Sequence, residues 1–135
     1  MATKYALVTG GSRGIGRAIC LKLAENGIPV LVGYRSNESA AEEVCNTIIH
    51  NGGSASVIRL DVSDKSSVET ALDNWETAHP DDYVAYLVNN AGVIHDDLMF
   101  RMTDDGWNSV IGTSVNGLFY VTRHLLPKMM ARGHG

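Results

Sequence analysis

The sequence predicts an α/β fold in which an open, parallel sheet is covered by helices on both faces. Short apolar runs alternate along the chain with longer segments whose apolar residues recur every three or four positions. Strand–helix–strand units of this length require right-handed crossovers, which make neighbouring strands parallel. The 135 residues suit a single domain, residues 1–135, because no linker, repeat or low-complexity stretch divides them.

Four short apolar runs predict the strands, and amphipathic segments between them predict helices. The strands are expected at Tyr5–Val8, Val30–Gly33, Ser56–Leu60 and Val84–Asn89. The helix faces are expected at Ile15, Ala18, Ile19 and Leu23, then Ala41, Val44, Cys45 and Ile48, then Val68, Ala71, Leu72 and Trp75. Gly27 is suited to end the first helix, and Ser63 or Asp64 to begin the third.

The last predicted helix is the longest. Its apolar stripe runs through Trp107, Val110, Ile111, Ser114, Leu118, Val121 and Leu125. Gly112, Gly117 and Pro127 interrupt it, and each glycine costs a helix about 1 kcal/mol relative to alanine. These glycines indicate either close packing on this face or a helix held mainly by tertiary contacts.

Composition excludes several classes of function. A net charge of −4 and an isoelectric point near 5.6 give no sign of a nucleic-acid or membrane-surface partner.

The two cysteines, Cys20 and Cys45, fall within helical patterns and are expected to be reduced packing residues of a cytoplasmic protein. The first strand begins too early for a signal peptide. The five histidines are scattered, so no metal site is predicted.

The strongest motif is the stretch "TGGSRGIG", Thr9–Gly16, which follows the first strand and opens the first helix. Gly10 suits the tight turn, Gly14 allows a pyrophosphate to approach the backbone, and Gly16 allows the helix to pack near the strand. The helix then directs its unpaired N–H groups at the anion. This context predicts a dinucleotide-binding turn of the Rossmann type rather than an ordinary loop.

The residues after the second strand indicate which dinucleotide is bound. An acidic residue there would accept hydrogen bonds from the ribose 2′-hydroxyl, but the segment Gly33–Asn37 contains none. Arg35 lies in it, and a guanidinium can bind a 2′-phosphate that a carboxylate would repel. Arg13 in the glycine-rich loop could reach the same group. NADP is therefore favoured over NAD, with a solvated Arg35 at a helix start as the alternative.

Together, "TGGSRGIG" and "NNAG", Asn89–Gly92, resemble the paired motifs of the short-chain dehydrogenase/reductase family. The segment "NNAGVIHDDLMFRMTDDGWNSVI" is similar to the branch that reduces 3-oxoacyl thioesters on acyl carrier protein. The resemblance implies an NADPH-dependent oxidoreductase of fatty acid biosynthesis, a homo-oligomer in the cytoplasm. Reductases of acetoacetyl-CoA or of another small ketone share these motifs and remain an alternative.

The resemblance also implies a set of cofactor contacts. The glycine-rich loop would line the pyrophosphate, Arg35 would face the 2′-phosphate, Asp61 and Val62 would hold the adenine, and the "NNAG" turn would run beside the cofactor. Asp61 could instead cap the third helix together with Ser63. The candidate cofactor-binding residues are Gly10, Gly11, Ser12, Arg13, Gly14, Ile15, Gly16, Tyr34, Arg35, Asp61, Val62, Asn90, Ala91 and Gly92.

The catalytic residues of the family are not found in these 135 residues. Members donate a proton from a tyrosine followed four residues later by lysine, and no tyrosine here has that partner. The chain ends where relatives begin a fifth strand, so a Rossmann fold truncated after its fourth strand and following helix is expected, inactive by itself. Ser114 stands at the position of a helix asparagine of the family, with Asn116 two residues along; Ser114 could equally be a packing residue.

Two interpretations follow. The first is the N-terminal part of an NADPH-dependent reductase, and the second is a half-length module that binds NADP or another subunit without turnover. With the family strand order 3-2-1-4, the fourth strand would be a bare sheet edge, and the long helix would lack part of its packing. We therefore expect the 135-residue chain to be unstable alone or to associate through this surface.

Overall fold

The computed structural model describes residues 2–135. The elements, in chain order, are β1 Lys4–Val8, α1 Gly14–Glu25, β2 Val30–Tyr34, α2 Glu38–His50, β3 Ala55–Arg59, α3 Lys65–Ala78, β4 Tyr83–Val88, α4 Asp104–Ile111 and α5 Gly117–Arg132. A π-helical turn, Gly112–Asn116, joins α4 to α5. The strand–helix alternation predicted from the sequence is confirmed.

The four strands form one parallel sheet in the order β3-β2-β1-β4. Strands β2 and β3 extend the sheet on one side of β1, and β4 lies on the other side. The strand order therefore reverses direction between β1 and β4. A topological switch point therefore lies at the carboxyl ends of β1 and β4, which is where open α/β sheets bind ligands.

Each face of the sheet has its own apolar core, since successive side chains of a strand point to opposite faces. On one face, Val8 of β1 packs with residues of α1 and α2, among them Cys20 and Val44. On the other face, Leu7 packs with residues of α3 and α5, among them Leu72 and Val121. Helices on both faces explain why the strands are nearly continuous apolar runs.

Helix α1 is turned slightly from the orientation that its apolar pattern predicts, because Ile19 and Leu23 of the predicted face pack against the core but Ile15 does not. Ile15 is 74% exposed, whereas Gly16 and Cys20 are buried. The two buried residues are small and one turn apart, so α1 can lie directly against the glycine-rich loop and β2. Close approach thus adjusts the orientation of this helix, which leaves Ile15 at its start in solvent.

The long terminal helix also departs from the prediction, because the π-helical turn breaks its 3.6-residue period. A π turn adds a residue and so rotates the stripe before it relative to the stripe after it. Val121 and Leu125 are buried against the sheet as expected, but Trp107 and Leu118 are about half exposed. Gly117 is required for close packing, since a Cβ there would lie 2.7 Å from Val62 Cγ2.

Apolar side chains remain exposed along α5 and on β4, which is an edge strand of the sheet. They include Tyr86, Leu118, Phe119, Leu126 and Met130. Association through this surface stays a prediction. Among residues 2–135, no helix has the length and apolar character needed to cross a bilayer.

Candidate cofactor-binding site

The glycine-rich loop between β1 and α1 has a backbone that only glycine adopts easily. Gly10 and Gly14 have φ angles of +63° and +56°, in the left-handed region. A Cβ on Gly16 would lie 2.0 Å from the Gly10 carbonyl oxygen, so any side chain would push α1 off the loop. A Cβ on Gly14 would meet nothing within 4 Å, which leaves its backbone open to an approaching group.

Helix α1 presents its N-terminus at this opening. Arg13 is the N-cap residue, with extended backbone, and its side chain makes no capping hydrogen bond. The N–H groups of a first helical turn have no intrahelical acceptors, and together with the helix dipole they favour an anion. The loop therefore has the open backbone and the unpaired N–H donors that a diphosphate would require.

Thr9 and Asn90 join the glycine-rich loop to the turn after β4. The Thr9 hydroxyl oxygen accepts hydrogen bonds from the N–H groups of Asn90 and Ala91, each at 3.0 Å. The Asn90 side-chain amide donates to the carbonyl oxygens of Thr9 and Gly10, at 3.2 and 3.0 Å. Thr9 is only 2% exposed. Asn90 therefore supports the loop with its amide, and Thr9 is a positioning residue that the sequence analysis did not single out.

A cavity of about 580 Å³ lies beyond the carboxyl ends of β2 and β3. Its lining residues are Arg35, Ser36, Arg59, Asp61, Asp64, Ser67, Thr70, Ala71 and Asn74. The structure thus brings Arg35 and Asp61 together, as the expected adenosine subsite requires. Arg13 does not line this cavity, and the side chains of Tyr34 and Val62 are buried.

Asp61 and Asp64 have different roles in the turn between β3 and α3. The Asp64 carboxylate caps α3 by accepting hydrogen bonds from the N–H groups of Ser66 and Ser67. The Asp61 Oδ1 accepts from the Ser63 N–H at 3.0 Å and from the Ser63 hydroxyl at 2.7 Å. The helix cap is therefore Asp64, and Asp61 holds the turn that leads into it.

Tyr34 is 7% exposed and packs with the core on the α1 and α2 face. Desolvation raises the pKa of Tyr34, and the neighbouring Glu38 carboxylate raises it further. The Tyr34 side chain belongs to this core and does not line the cavity that contains Arg35.

Ser114 lies in the π-helical turn and faces the end of the "NNAG" turn. A Cβ on Gly92 would lie 3.7 Å from the Ser114 hydroxyl oxygen. π-Helical turns occur often at functional sites, where they redirect a side chain. Ser114 is exposed, as is Asn116 at the end of the same turn, so neither is a core packing residue.

One cluster outside the loop was not anticipated. His124 of α5 lies 3.4 Å from Asp73 and 3.7 Å from Glu76, both on α3. These three side chains could hold a metal ion, but Lys128 also contacts Glu76 and competes for it. Separate helices bring the residues together, so histidine spacing in the sequence could not have revealed the cluster.

The fold and the site define the class of this molecule: a doubly wound α/β domain with a glycine-rich, anion-compatible loop at its switch point. The family model for short chain dehydrogenases matches residues 4–135. The chain belongs to the short-chain dehydrogenase family, as its motifs indicated.

Individual relatives agree with this assignment. The chain is 38% identical to the 3-oxoacyl-[acyl-carrier-protein] reductase FabG of Staphylococcus aureus over 98% of its own length and 53% of that protein. It is 42% identical to the Escherichia coli oxidoreductase YgfF, over 96% and 52% of the two chains. The chain thus spans about half the length of the curated relatives it matches.

A solved structure extends the likeness to three dimensions. The gluconate 5-dehydrogenase of Burkholderia cenocepacia, in complex with NADP and tartrate, superposes with a TM-score of 0.89 at 30% identity. The match covers all of this chain and 52% of that protein. The parallel sheet with its covering helices is therefore the same fold.

Proposed function

We propose that this protein is an NADP(H)-dependent oxidoreductase and that the residues described here bind the dinucleotide. The observation that carries the proposal is that the Arg35 cavity and the open loop at Gly14 follow the carboxyl ends of adjacent strands, β2 and β1, in one sheet. A dinucleotide is long enough to join a pyrophosphate on the loop to an adenosine in the cavity.

Each part of the cofactor has a matching group. The N–H groups at the start of α1 would bind the pyrophosphate, and Arg35 would pair with the 2′-phosphate. Asp61 would face the adenine, while Gly92 and Ser114 would border the nicotinamide end. Bound NADPH supplies a hydride for carbonyl reduction. The proton would come from a group outside these 135 residues, since none of their tyrosines has the expected lysine.

The proposed substrate is a 3-oxoacyl thioester carried by acyl carrier protein. The FabG relatives support this substrate, because they are named as 3-oxoacyl-[acyl-carrier-protein] reductases and are 36–38% identical to nearly the whole chain. Acetoacetyl-CoA or another small ketone is the alternative within the enzyme class. The gluconate 5-dehydrogenase neighbour supports that alternative, because gluconate, from which it takes its name, is not a thioester.

A non-catalytic NADP-binding module is the second candidate, favoured by the lack of a Tyr-x-x-x-Lys pair in these residues. We further propose that copies associate through the exposed apolar face of α5. A cytoplasmic location is compatible with the two buried free cysteines, Cys20 and Cys45.

The test uses the gene product at its natural length. Calorimetric titration with NADPH and NADH measures the two dissociation constants, and loss of NADPH absorbance with an acetoacetyl thioester measures turnover. We expect NADPH to bind at least tenfold tighter than NADH. Failure to bind either cofactor would refute the proposal; binding without turnover of thioesters or small ketones would favour the non-catalytic module.

A further inference from the structure

The cavity that contains Arg35 has a second guanidinium, and it belongs to a residue with no assigned role. Arg59 is the last residue of β3, where it is paired in register with Tyr34, the last residue of β2. Arg35 follows Tyr34 directly, so the two arginines lie at the ends of adjacent strands. The Arg59 Nε donates a hydrogen bond to the Arg35 carbonyl oxygen at 3.4 Å, which directs the Arg59 side chain toward the β2–α2 connection.

The acidic residues of the cavity do not neutralise these cations by direct pairing. Neither Arg35 nor Arg59 forms an ion pair with any carboxylate in residues 2–135. The Asp61 and Asp64 carboxylates accept hydrogen bonds from their own turn and helix start. Two exposed guanidinium groups therefore line the cavity, and apart from the Arg59 Nε–H their N–H donors are available.

A phosphate monoester matches this charge better than a single arginine would. Such a group carries a charge of about −1.5 to −2 near neutral pH and offers three acceptor oxygens. Arg13 does not line the cavity, so Arg35 alone would leave much of that charge unpaired. A guanidinium presents several donors in a fixed plane, which suits a second contact to the same phosphate.

We propose that Arg59 is a second specificity-determining residue, which binds the 2′-phosphate of the dinucleotide together with Arg35. This inference rests on the proposed NADP function and adds a residue to it. The alternative role for Arg59 is purely structural, through its hydrogen bond to the Arg35 carbonyl. That role would affect cofactors with and without the 2′-phosphate equally.

The experiment compares Arg59→Met and Arg59→Lys with the natural-length protein. The probes are NADPH, NADH, 2′,5′-ADP and 5′-AMP; the two half-cofactors carry no nicotinamide and so report on this subsite alone. We expect Arg59→Met to weaken NADPH and 2′,5′-ADP about tenfold and to change NADH and 5′-AMP less than twofold. Arg59→Lys keeps the charge and should retain most of the preference.

Two controls make the result interpretable. Lys22→Met removes an exposed cation in the last turn of α1 that does not line the cavity, and it should change no dissociation constant. Arg35→Met should lose the preference as Arg59→Met does. Thermal melting of every variant checks that each is folded.

Three outcomes would overturn the inference. An unchanged NADPH-to-NADH ratio in Arg59→Met, with the preference lost in Arg35→Met, would refute the role of Arg59 alone and leave the proposed function intact. Equal weakening of all four probes would assign Arg59 the structural role. A natural protein that does not prefer NADPH would refute both proposals together.

Discussion

Gly14 is the position where a substitution should block cofactor binding without disturbing the fold. Its φ of +56° is also tolerated by aspartate, and a Cβ there would meet no atom within 4 Å. Gly14→Asp would place a carboxylate at the start of α1, where the pyrophosphate is proposed to bind. Gly52→Asp is the matched control, because Gly52 has a φ of +86° and equally open surroundings at the other end of the domain.

The expected loss of affinity follows from charge repulsion. A carboxylate about 5 Å from a phosphate, at an effective dielectric constant of about 20, opposes binding by roughly 3 kcal/mol for each unit charge. That repulsion corresponds to a loss of about 100-fold in affinity for NADPH, and the lost access to the loop amides adds to it. NADH should lose as much, since both cofactors contain the pyrophosphate.

The variant that loses binding should be the more stable of the two. In both variants the new aspartate must adopt the left-handed backbone conformation, which lowers the free energy of unfolding by roughly 1–2 kcal/mol. At Gly14 the favourable interaction with the α1 N-terminus returns about 0.3–1 kcal/mol, whereas Gly52 follows the C-terminus of α2 and receives no such benefit. Gly52→Asp should therefore be the less stable variant and still bind NADPH normally.

The assay is calorimetric titration with NADPH and NADH, combined with urea unfolding of both variants at natural length. Binding by Gly14→Asp within threefold of the unsubstituted protein would refute the assignment of the phosphate to this loop. Equal losses of binding in both variants would mean that affinity follows global stability rather than contact with the loop.

Three further predictions concern the support of the site and the core. Thr9→Val would remove the acceptor of the Asn90 and Ala91 N–H groups and leave two partly buried donors unpaired, so we expect a loss of about 1–3 kcal/mol in unfolding free energy. Thr77→Val, whose hydroxyl bonds only its own helix, is the control; urea unfolding measures both, and equal effects would contradict the proposed link. Burial raises the thiol pKa of Cys20 to about 12 and of Cys45 to about 11, from 9.0. The folded state retains these protons where the unfolded state loses them, so stability should fall as pH rises above about 9. The native thiols should also resist alkylation at pH 8, and rapid labelling of the folded protein would contradict their burial.

Short-range patterns were sufficient for the elements and for the loop. The apolar runs and amphipathic segments between Tyr5 and Val88 predicted the strands and helices because burial of one face acts on neighbouring residues. The glycine-rich turn could be recognised because its backbone requirement is local. Arg35 was found because it follows the second strand directly.

Contacts between distant segments needed the folded chain. The link between Thr9 and Asn90 joins residues 81 positions apart, and Arg59 meets Arg35 across two strands. The close packing at Gly16 was predicted, but the exposure of Ile15 was not, because the approach of Gly16 to the Gly10 carbonyl outweighs the burial of Ile15. Likewise, the π-helical turn shifts the stripe of the last helix and turns Ser114 toward Gly92.

By itself, the sequence determined the alternating α/β architecture, the glycine-rich loop and the absence of an acid after the second strand, because each depends on residues adjacent in the chain. Only the tertiary structure decided which charged side chains share the cavity. No local pattern in the sequence shows which of Arg13, Arg35 and Arg59 lie together. Strand pairing brings Arg59 beside Arg35, while Arg13 remains at the start of α1. The composition of a binding site depends on strand order and register, which no local pattern encodes.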